Sequence, residues 1–238
     1  MPEKSPEKRL ASLNTESFRV LAFDYDETLA VSAYMNDSVV GALERARKHE
    51  RLLVLVTGRY LKSLLENCRR IDLFDLVICE NGAVIHEPAS GQTRALAGEV
   101  HEGLKNRLEQ DGVEPLLTGL SMLATYRNHE EVVRSAIADL GLGHHIQTNK
   151  NAIMILPEGV DKQSGLRSAL TELGAEPGET MVFGDAENDI PLFAGAGLRV
   201  AVGNAVPALK EHADIITESF FGDGVVEMID MLTEALAL

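Results

Sequence analysis

Apolar runs of strand length alternate along this chain with segments whose apolar residues recur at helical spacing. The runs at 18–24, 51–58 and 75–82 are separated by helical patterns, and the same alternation returns between residues 166 and 232. Apolar runs without polar alternation are typical of strands buried on both faces. Strands that alternate with helices predict an α/β fold with a doubly wound, Rossmann-like parallel sheet.

The middle of the chain departs from this alternation. Residues 82–98 are typical of a hairpin, and residues 144–157 are typical of two strands around an Asn-Lys-Asn turn. Because antiparallel pairing differs from the parallel pattern on either side, we expect an inserted cap, a smaller α/β unit with an antiparallel sheet and helices. The predicted division is a flexible leader at 1–17, a core at 18–86 and 158–238, and a cap at 87–157.

Composition restricts the partners and the compartment. The chain has 22 Lys and Arg residues against 37 Asp and Glu residues, a formal net charge of -15 at pH 7. Such a surface repels phosphate backbones and anionic lipids, so we expect neither a nucleic-acid partner nor a membrane partner. Two cysteines are too few for a disulfide framework or a four-cysteine zinc site. We expect free thiols in a cytoplasmic monomer or homodimer.

Polar residues follow the predicted core strands at the points where the strands end. In an open parallel sheet, ligands bind beyond the carboxyl ends of the strands. We therefore expect four acidic side chains, two threonines and one lysine to meet at one site. These residues are Asp24, Asp26, Asp185, Asp189, Thr28, Thr57 and Lys162.

The chemistry of such a site is that of phosphoryl transfer with a hard cation. Carboxylates packed together repel one another, and Mg²⁺, which takes oxygen ligands, relieves that repulsion. The cation and Lys162 would neutralise phosphoryl oxygens. An Asp carboxylate can attack phosphorus, and a second Asp two residues on can protonate the leaving oxygen. A single Asp could equally be a helix cap or turn residue, but two acidic clusters at two strand ends favour a site.

Four motifs of the chain, in this order, resemble those of the haloacid dehalogenase superfamily. They are Asp24-Tyr25-Asp26-Glu27-Thr28, Thr57-Gly58-Arg59, Lys162 and Gly184-Asp185-Ala186-Glu187-Asn188-Asp189. The string Glu80-Asn81-Gly82-Ala83 and the insert between motifs two and three are similar to the Cof-like branch, whose α/β cap is of class IIB type. One departure is Glu27, where this family usually has glycine.

The resemblance implies a role for each matching residue. Asp24 would be the nucleophile and a Mg²⁺ ligand, and Asp26 the general acid and base, with its backbone carbonyl on the metal. Asp185 and Asp189 would complete the metal site. The implied phosphate-binding residues are Thr57, Gly58, Lys162 and Asn188.

Substrate specificity would come from the rim of the site and from the cap. Arg59 has two interpretations, contact with the substrate or an ion pair with Glu80 or another nearby carboxylate. The cap residues are polar positions at strand or turn ends, for which a solvated rim is the alternative. The candidates for substrate contact are Arg59, Asn81, Arg127, Asn149 and Lys150.

The resemblance implies a Mg²⁺-dependent phosphatase that hydrolyses a small phosphorylated metabolite, such as a sugar phosphate or a phosphoglycolate-like compound, through an aspartyl-phosphate. A phosphomutase of the same fold is an alternative, since it shares the intermediate. A non-enzymatic phospho-receiver-like signalling module is a second alternative. Receivers have about half this length, and they lack both the insert and an acid/base Asp two residues past the nucleophile, so Asp26 argues against that alternative.

Overall fold

The computed structural model describes residue 6 and residues 14–149 and 151–235. Two separate sheets are present among them. The strands are β1 Val20–Phe23, β2 Leu52–Val56, β3 Leu76–Cys79, β4 Val84–Glu87, β5 Gln92–Ala95, β6 Leu117–Thr118, β7 Leu123–Tyr126, β8 His145–Asn149, β9 Ala152–Leu156, β10 Thr180–Gly184, β11 Leu198–Ala201 and β12 Ile215–Ile216. The helices are α1 Asp37–Lys48, α2 Leu61–Asn67, α3 Glu102–Gln110, α4 Glu130–Asp139, α5 Lys162–Leu173, α6 Ile190–Ala194, α7 Pro207–His212 and α8 Phe221–Ala235.

The larger sheet has the strand order β12-β11-β10-β1-β2-β3-β4-β5. Pairing is parallel from β12 to β3 and antiparallel for β4 and β5. Helices cover both faces, because alternate residues of β1 pack into different clusters. Leu21 belongs to the cluster that includes residues of α1 and α8, and Ala22 to the cluster that includes residues of α5 and α6. The predicted doubly wound core is confirmed.

The smaller sheet is antiparallel, in the order β6-β7-β9-β8. One of its faces packs against α3 and α4 through Leu104, Val133 and Ile153. This arrangement confirms the expected antiparallel sheet with helices. The predicted cap boundary at residue 87 falls inside the β4–β5 hairpin. Because β5 pairs with β4, residues 92–95 belong to the larger sheet, and the first strand of the smaller sheet begins at Leu117.

Two other expectations meet different outcomes. The Gly-Asp-Gly segment at 222–224 is predicted to be a turn that starts the last helix, but α8 already begins at Phe221. Gly222 is instead required by close packing inside the helix, since a Cβ there would meet Val39 and would lie 3.0 Å from the carbonyl oxygen of Leu29. Of the predicted leader at 1–17, Thr15–Ser17 form a 3-10 turn capped by the Asn14 side chain, and the rest lies almost entirely outside the described residues.

Both cysteines are buried and free, as expected. Among the described residues, no helix combines the length and the apolar character that crossing a membrane requires.

Candidate active site

A cavity of about 310 Å³ lies between the carboxyl ends of the larger sheet's strands and the smaller sheet. The parallel register aligns β1, β2 and β10 so that the residues following them meet at one edge. The polar side chains that line the cavity come from those strand ends. They are Asp24, Asp26, Glu27, Arg59, Asp185 and Asn188, joined by Ser63 and the hydroxyl-bearing Tyr60.

Lys162 enters the site from the first turn of α5. That helix begins with a capping box, in which the Asp161 carboxylate accepts from the Ser164 N–H at 2.7 Å and the Ser164 hydroxyl receives the Asp161 N–H at 2.9 Å. The Lys162 ammonium is 1% exposed and lies 2.5 Å from Asp24 Oδ1 and 2.6 Å from Asp189 Oδ1. Burial alone lowers its pKa, but the two carboxylates more than offset this, so the pKa is raised and Lys162 is a cation.

Three carboxylates lie close together beside this buried cation, which contacts two of them, Asp24 and Asp189. One oxygen or more from each of Asp24, Asp185 and Asp189 lies within 4.8 Å of the others. Asp189 accepts three hydrogen bonds, since Oδ1 accepts from Lys162 while Oδ2 accepts from the backbone N–H groups of Asp185 and Ala186 at 3.0 and 3.1 Å. The Asp185 carboxylate accepts one hydrogen bond from the Thr28 hydroxyl at 3.0 Å. Asp24 and Asp185 accept one side-chain hydrogen bond each, so they keep more free lone pairs than Asp189 does.

Burial and the excess of negative charge raise the pKa values of two of these carboxyl groups, Asp24 and Asp185. Burial, followed by the repulsion of Asp189, raises the pKa of Asp185 from 3.8 to about 7. Burial also raises the pKa of Asp24, and Asp189 and Asp185 add to this effect, while Lys162 opposes it. Removing these groups from water without enough positive charge disfavours their ionised forms. This set of oxygen donors fits an additional hard cation.

Arg59 forms a two-pronged ion pair with Asp26 at the cavity surface. Its Nε donates to Asp26 Oδ2 at 2.8 Å, and its Nη2 donates to Oδ1 at 2.6 Å. The guanidinium also lies over the Tyr25 ring, 5.4 Å from the ring centroid. The ion-pair interpretation of Arg59 therefore holds with Asp26 as the carboxylate, and Arg59 lines the cavity as well.

Of the other expected phosphate-site residues, Gly58 and Asn188 line the cavity, and Thr57 precedes Gly58 in the same segment. Thr57 is buried, and its hydroxyl oxygen accepts the Arg59 N–H at 3.1 Å, which leaves its own O–H free to donate. A Cβ on Gly58 would come 3.0 Å from the Asn81 amide oxygen, so glycine gives the loop room here.

Two of the remaining specificity candidates, Asn81 and Arg127, do not line the cavity. Asn81 is fully buried, with its amide against the Met154 sulfur. Arg127 is largely exposed and lies 3.8 Å from Glu130, away from the cavity. Asn149 pairs through its backbone with Ala152 at the end of β8, while Lys150 lies outside the described residues.

The apolar wall of the cavity is formed by residues that are not among the site candidates predicted from the sequence. Leu117, Ala124, Ala152 and Met154 come from the smaller sheet, and Met122 is the residue just before β7. Residues two apart on a strand share a face, so the alternation of residues along β7 and β9 indicates which of them lie on the same side of the smaller sheet. The opposite face of these strands packs against α3 and α4. From the sequence alone, neither face can be distinguished as the one that meets the site.

Glu27 takes the left-handed backbone conformation, with φ of 62°. The main chain holds it there, because its N–H donates to the Ala30 carbonyl at 2.8 Å and its carbonyl accepts from the Asn204 amide at 2.9 Å. Glycine adopts this region without strain, whereas other residues do so at a cost. The turn therefore accounts for the glycine that the family usually has at this position.

Comparison with known proteins gives the family. A family model described as haloacid dehalogenase-like hydrolase matches residues 21–139 and 121–229. The phosphoglycolate phosphatase of Archaeoglobus fulgidus is 32% identical over 199 residues, covering 80% of this chain and 87% of that protein. Phosphoglycolate phosphatase 2 of Saccharolobus solfataricus is 33% identical over 241 residues, covering 90% of this chain and 91% of that protein. These relatives confirm the predicted phosphatase class.

The fold is similar to that of solved members of the same superfamily. The structure of a sugar phosphatase of subclass IIB superimposes with a TM-score of 0.73 at 21% identity, covering 90% of this chain and 99% of that one. This likeness supports the expected class IIB architecture, with a separate sheet inserted in the core. The chain belongs to the haloacid dehalogenase-like hydrolases.

Proposed function

We propose that this protein is a Mg²⁺-dependent phosphatase that hydrolyses a small phosphomonoester through an aspartyl-phosphate on Asp24. The observation that carries the proposal is the contact between the buried Lys162 ammonium and the Asp24 carboxylate at 2.5 Å, at the end of a cavity that Asp26 also lines. A nucleophilic carboxylate, a cation beside it and an acid/base group two residues away are the parts that this reaction needs.

In the first step, a carboxylate oxygen of Asp24 attacks phosphorus and the bond from phosphorus to the ester oxygen breaks. Asp26 donates a proton to the leaving oxygen. In the second step, water attacks the phosphorus of the aspartyl-phosphate and Asp26 takes a proton from the water. The bond from phosphorus to the Asp24 oxygen breaks, which releases inorganic phosphate and restores the Asp24 carboxylate. Lys162 and the free Thr57 hydroxyl stabilise the phosphoryl oxygens throughout.

The arrangement of the carboxylates supports Mg²⁺ as the cofactor. Asp24 and Asp185 have carboxylate lone pairs free to bind a metal. Asp189 orients the backbone at 185–186, because it accepts hydrogen bonds from both N–H groups there. When bound, Mg²⁺ supplies positive charge that stabilises the developing charge on the transferring phosphoryl group. Asp24 and Asp185 would hold it directly, and Asp189 would keep the loop in place.

Phosphoglycolate is the first substrate to test. The relatives at 32% and 33% identity bear that substrate in their names. The cavity volume of about 310 Å³ is at the small end of ligand pockets and suits a compact metabolite. The wall of Leu117, Met122 and Met154 also leaves little room for a bulky leaving group.

The test is a panel of phosphorylated metabolites assayed for phosphate release with Mg²⁺ and with a chelator. Phosphoglycolate should be hydrolysed only with Mg²⁺, and Asp24→Asn should lower kcat by at least about 10³-fold. Asp37→Asn, the same change at an exposed position of α1, is the matched control and should behave as the wild type. If Asp24→Asn retains most of the activity, Asp24 is not the nucleophile.

A further inference from the structure

Glu80 is a buried carboxylate that the proposed reaction does not use. It follows β3, and only 2% of its surface is exposed. Within the described part of the chain, no lysine or arginine forms an ion pair with it. A buried carboxylate without a cation needs hydrogen bonds to every accessible lone pair, or its burial is costly.

Those hydrogen bonds come from the smaller unit. The backbone N–H groups of Leu120, Ser121 and Met122 donate to the two Glu80 oxygens at 2.9, 2.9 and 3.0 Å. These residues belong to the segment that joins β6 to β7, which we call the 119–122 loop. Successive backbone N–H groups that converge on one carboxylate form an anion-binding concavity, so one core side chain holds three consecutive amides of the loop.

The close fit is also visible from the other side of the contact. A Cβ on Gly119 would meet both oxygens of the Glu80 carboxylate. The glycine therefore allows the 119–122 loop to approach Glu80 closely enough for all three hydrogen bonds. The loop runs directly into β7. The same contact therefore constrains the position, relative to the larger sheet, of Met122 and Ala124, which line the cavity.

The core side of the contact is equally constrained. Glu80 and Asn81 both have φ of 53°, in the left-handed region that is strained for residues other than glycine. Their N–H groups donate to the carbonyl oxygens of Arg59 at 3.0 Å and of Thr57 at 3.1 Å. The strained turn is thus fastened to the segment at 57–59, which borders the proposed phosphate site.

We propose that Glu80 is a positioning residue that fixes the 119–122 loop, and with it the apolar wall of the cavity, relative to the phosphate-binding segment at 57–59. The chain of contacts runs from Thr57 and Arg59 through the backbone of the turn to the Glu80 carboxylate and on to the loop. The inference rests on the proposed function, since the wall would contact the organic part of the phosphomonoester.

The first experiment measures amide hydrogen exchange in Glu80→Gln. The Gln side chain has one acceptor oxygen, and its NH₂ group would face backbone donors. Exchange at residues 120–122 should become at least about tenfold faster, the factor that corresponds to about 1.4 kcal/mol, while exchange in β1 stays unchanged. Glu66→Gln, the same change at an exposed residue of α2, is the matched control. Equal acceleration in β1 and at 120–122, or none at either, would overturn the proposal.

The second experiment separates the wall from the phosphate site. In Glu80→Gln, KM for phosphoglycolate should rise about tenfold, whereas the inhibition constant of inorganic phosphate, which occupies only the core side, should change less than about twofold. Loss of stability alone would not separate these two constants. If both constants move together, Glu80 does not position the wall.

A second variant keeps the proposal testable if Glu80→Gln does not fold. Gly119→Ala places a methyl group against the Glu80 oxygens and should give the same local exchange and the same separation of constants. Its control is Gly178→Ala, where a Cβ meets nothing within 4 Å. If Gly119→Ala behaves as Gly178→Ala does, the proposal is wrong. A wild-type protein that hydrolyses no phosphomonoester would refute the proposed function, and the exchange measurement would still decide the role of Glu80.

Discussion

At the scale of single residues, Glu27 sets a negative charge beside a site for anions. Its side chain lines the cavity together with Asp24 and Asp185. Glu27→Gln should lower KM for an anionic phosphomonoester by up to about fivefold, because one partly exposed charge acts on the substrate with up to about 1 kcal/mol. The expected effect shrinks at high salt. Steady-state kinetics at two ionic strengths check this, and a KM that is unchanged at low salt would contradict it.

The Arg59–Asp26 pair gives a second residue-scale prediction. Two guanidinium nitrogens of Arg59 donate hydrogen bonds to the two carboxylate oxygens of Asp26. Arg59 therefore fixes the orientation of the proposed acid/base group. Arg59→Lys keeps the charge but loses the two-pronged geometry. We expect kcat/KM to fall about tenfold in Arg59→Lys and further in Arg59→Met. The loss in Arg59→Met should not exceed the 10²–10⁴-fold contribution that is typical of general acid–base catalysis. Equal values for wild type and Arg59→Met would show that Asp26 needs no such support.

The sequence predicts side chains that act through their own charge and leaves out those that act through backbone partners. Asp24, Asp185 and Lys162 meet as expected because strand ends in a parallel sheet converge. The partners of Glu80 are three amides from a distant loop. Because every residue except proline has such an amide, residue types give no signal for this contact.

At the scale of elements, the position of α5 determines where Lys162 lies. A Cβ on Gly165, three residues further along α5, would come 2.6 Å from Gly82 Cα and 2.6 Å from Ile78 Cγ2. Gly165→Ala should therefore push the helix away from the sheet and lower the free energy of unfolding by about 1–3 kcal/mol. Activity should fall as well, since Lys162 moves with the helix.

The matched control for this helix is Gly41→Ala in α1, where a Cβ meets only the Arg45 guanidinium at 3.5 Å. Alanine is the better helix former, so Gly41→Ala should raise the free energy of unfolding by up to about 1 kcal/mol. Chemical denaturation of both variants measures the contrast. Similar stabilities for the two would mean that α5 does not approach the sheet as closely as described.

The order of strands and helices is predictable because burial on both faces leaves continuous apolar runs, as in β1 and β2. The boundaries between the core and the insert are harder to predict from the sequence. The hairpin of β4 and β5 looks as much like the start of the insert as like an edge of the core. Local pattern gives its strand character, but only tertiary pairing decides which sheet it extends.

At the scale of the whole molecule, a formal net charge of -15 surrounds a site that should bind a phosphate ester. The overall field opposes the approach of an anion, so positive charge at contact range must offset it. In the described site, buried positive charge comes from Lys162, which two carboxylates already contact. Substrate affinity should therefore depend on the bound cation more than on the surface.

The same shortage of positive charge makes stability depend on pH. Burial and Asp189 raise the pKa of Asp185 in the metal-free protein from 3.8 to about 7. The folded protein therefore holds a proton that the unfolded chain releases above about pH 4. The stability due to this proton is fully present below about pH 4 and is lost as pH rises through 7. The metal-free protein should have a lower Tm at pH 8 than at pH 5.

Mg²⁺ should reverse that loss, because Asp24 and Asp185 would hold the cation and it would supply the positive charge that the proton on Asp185 supplies in its absence. At pH 5 the ion must displace protons to bind, whereas at pH 8 the carboxylates are ionised and ready to bind it. The rise in Tm on adding Mg²⁺ should therefore be larger at pH 8 than at pH 5, and Asp185→Asn should remove most of that difference. Thermal unfolding with and without Mg²⁺ at both pH values measures it. A rise that is equal or larger at pH 5 would exclude Asp185 as the group whose proton the metal displaces.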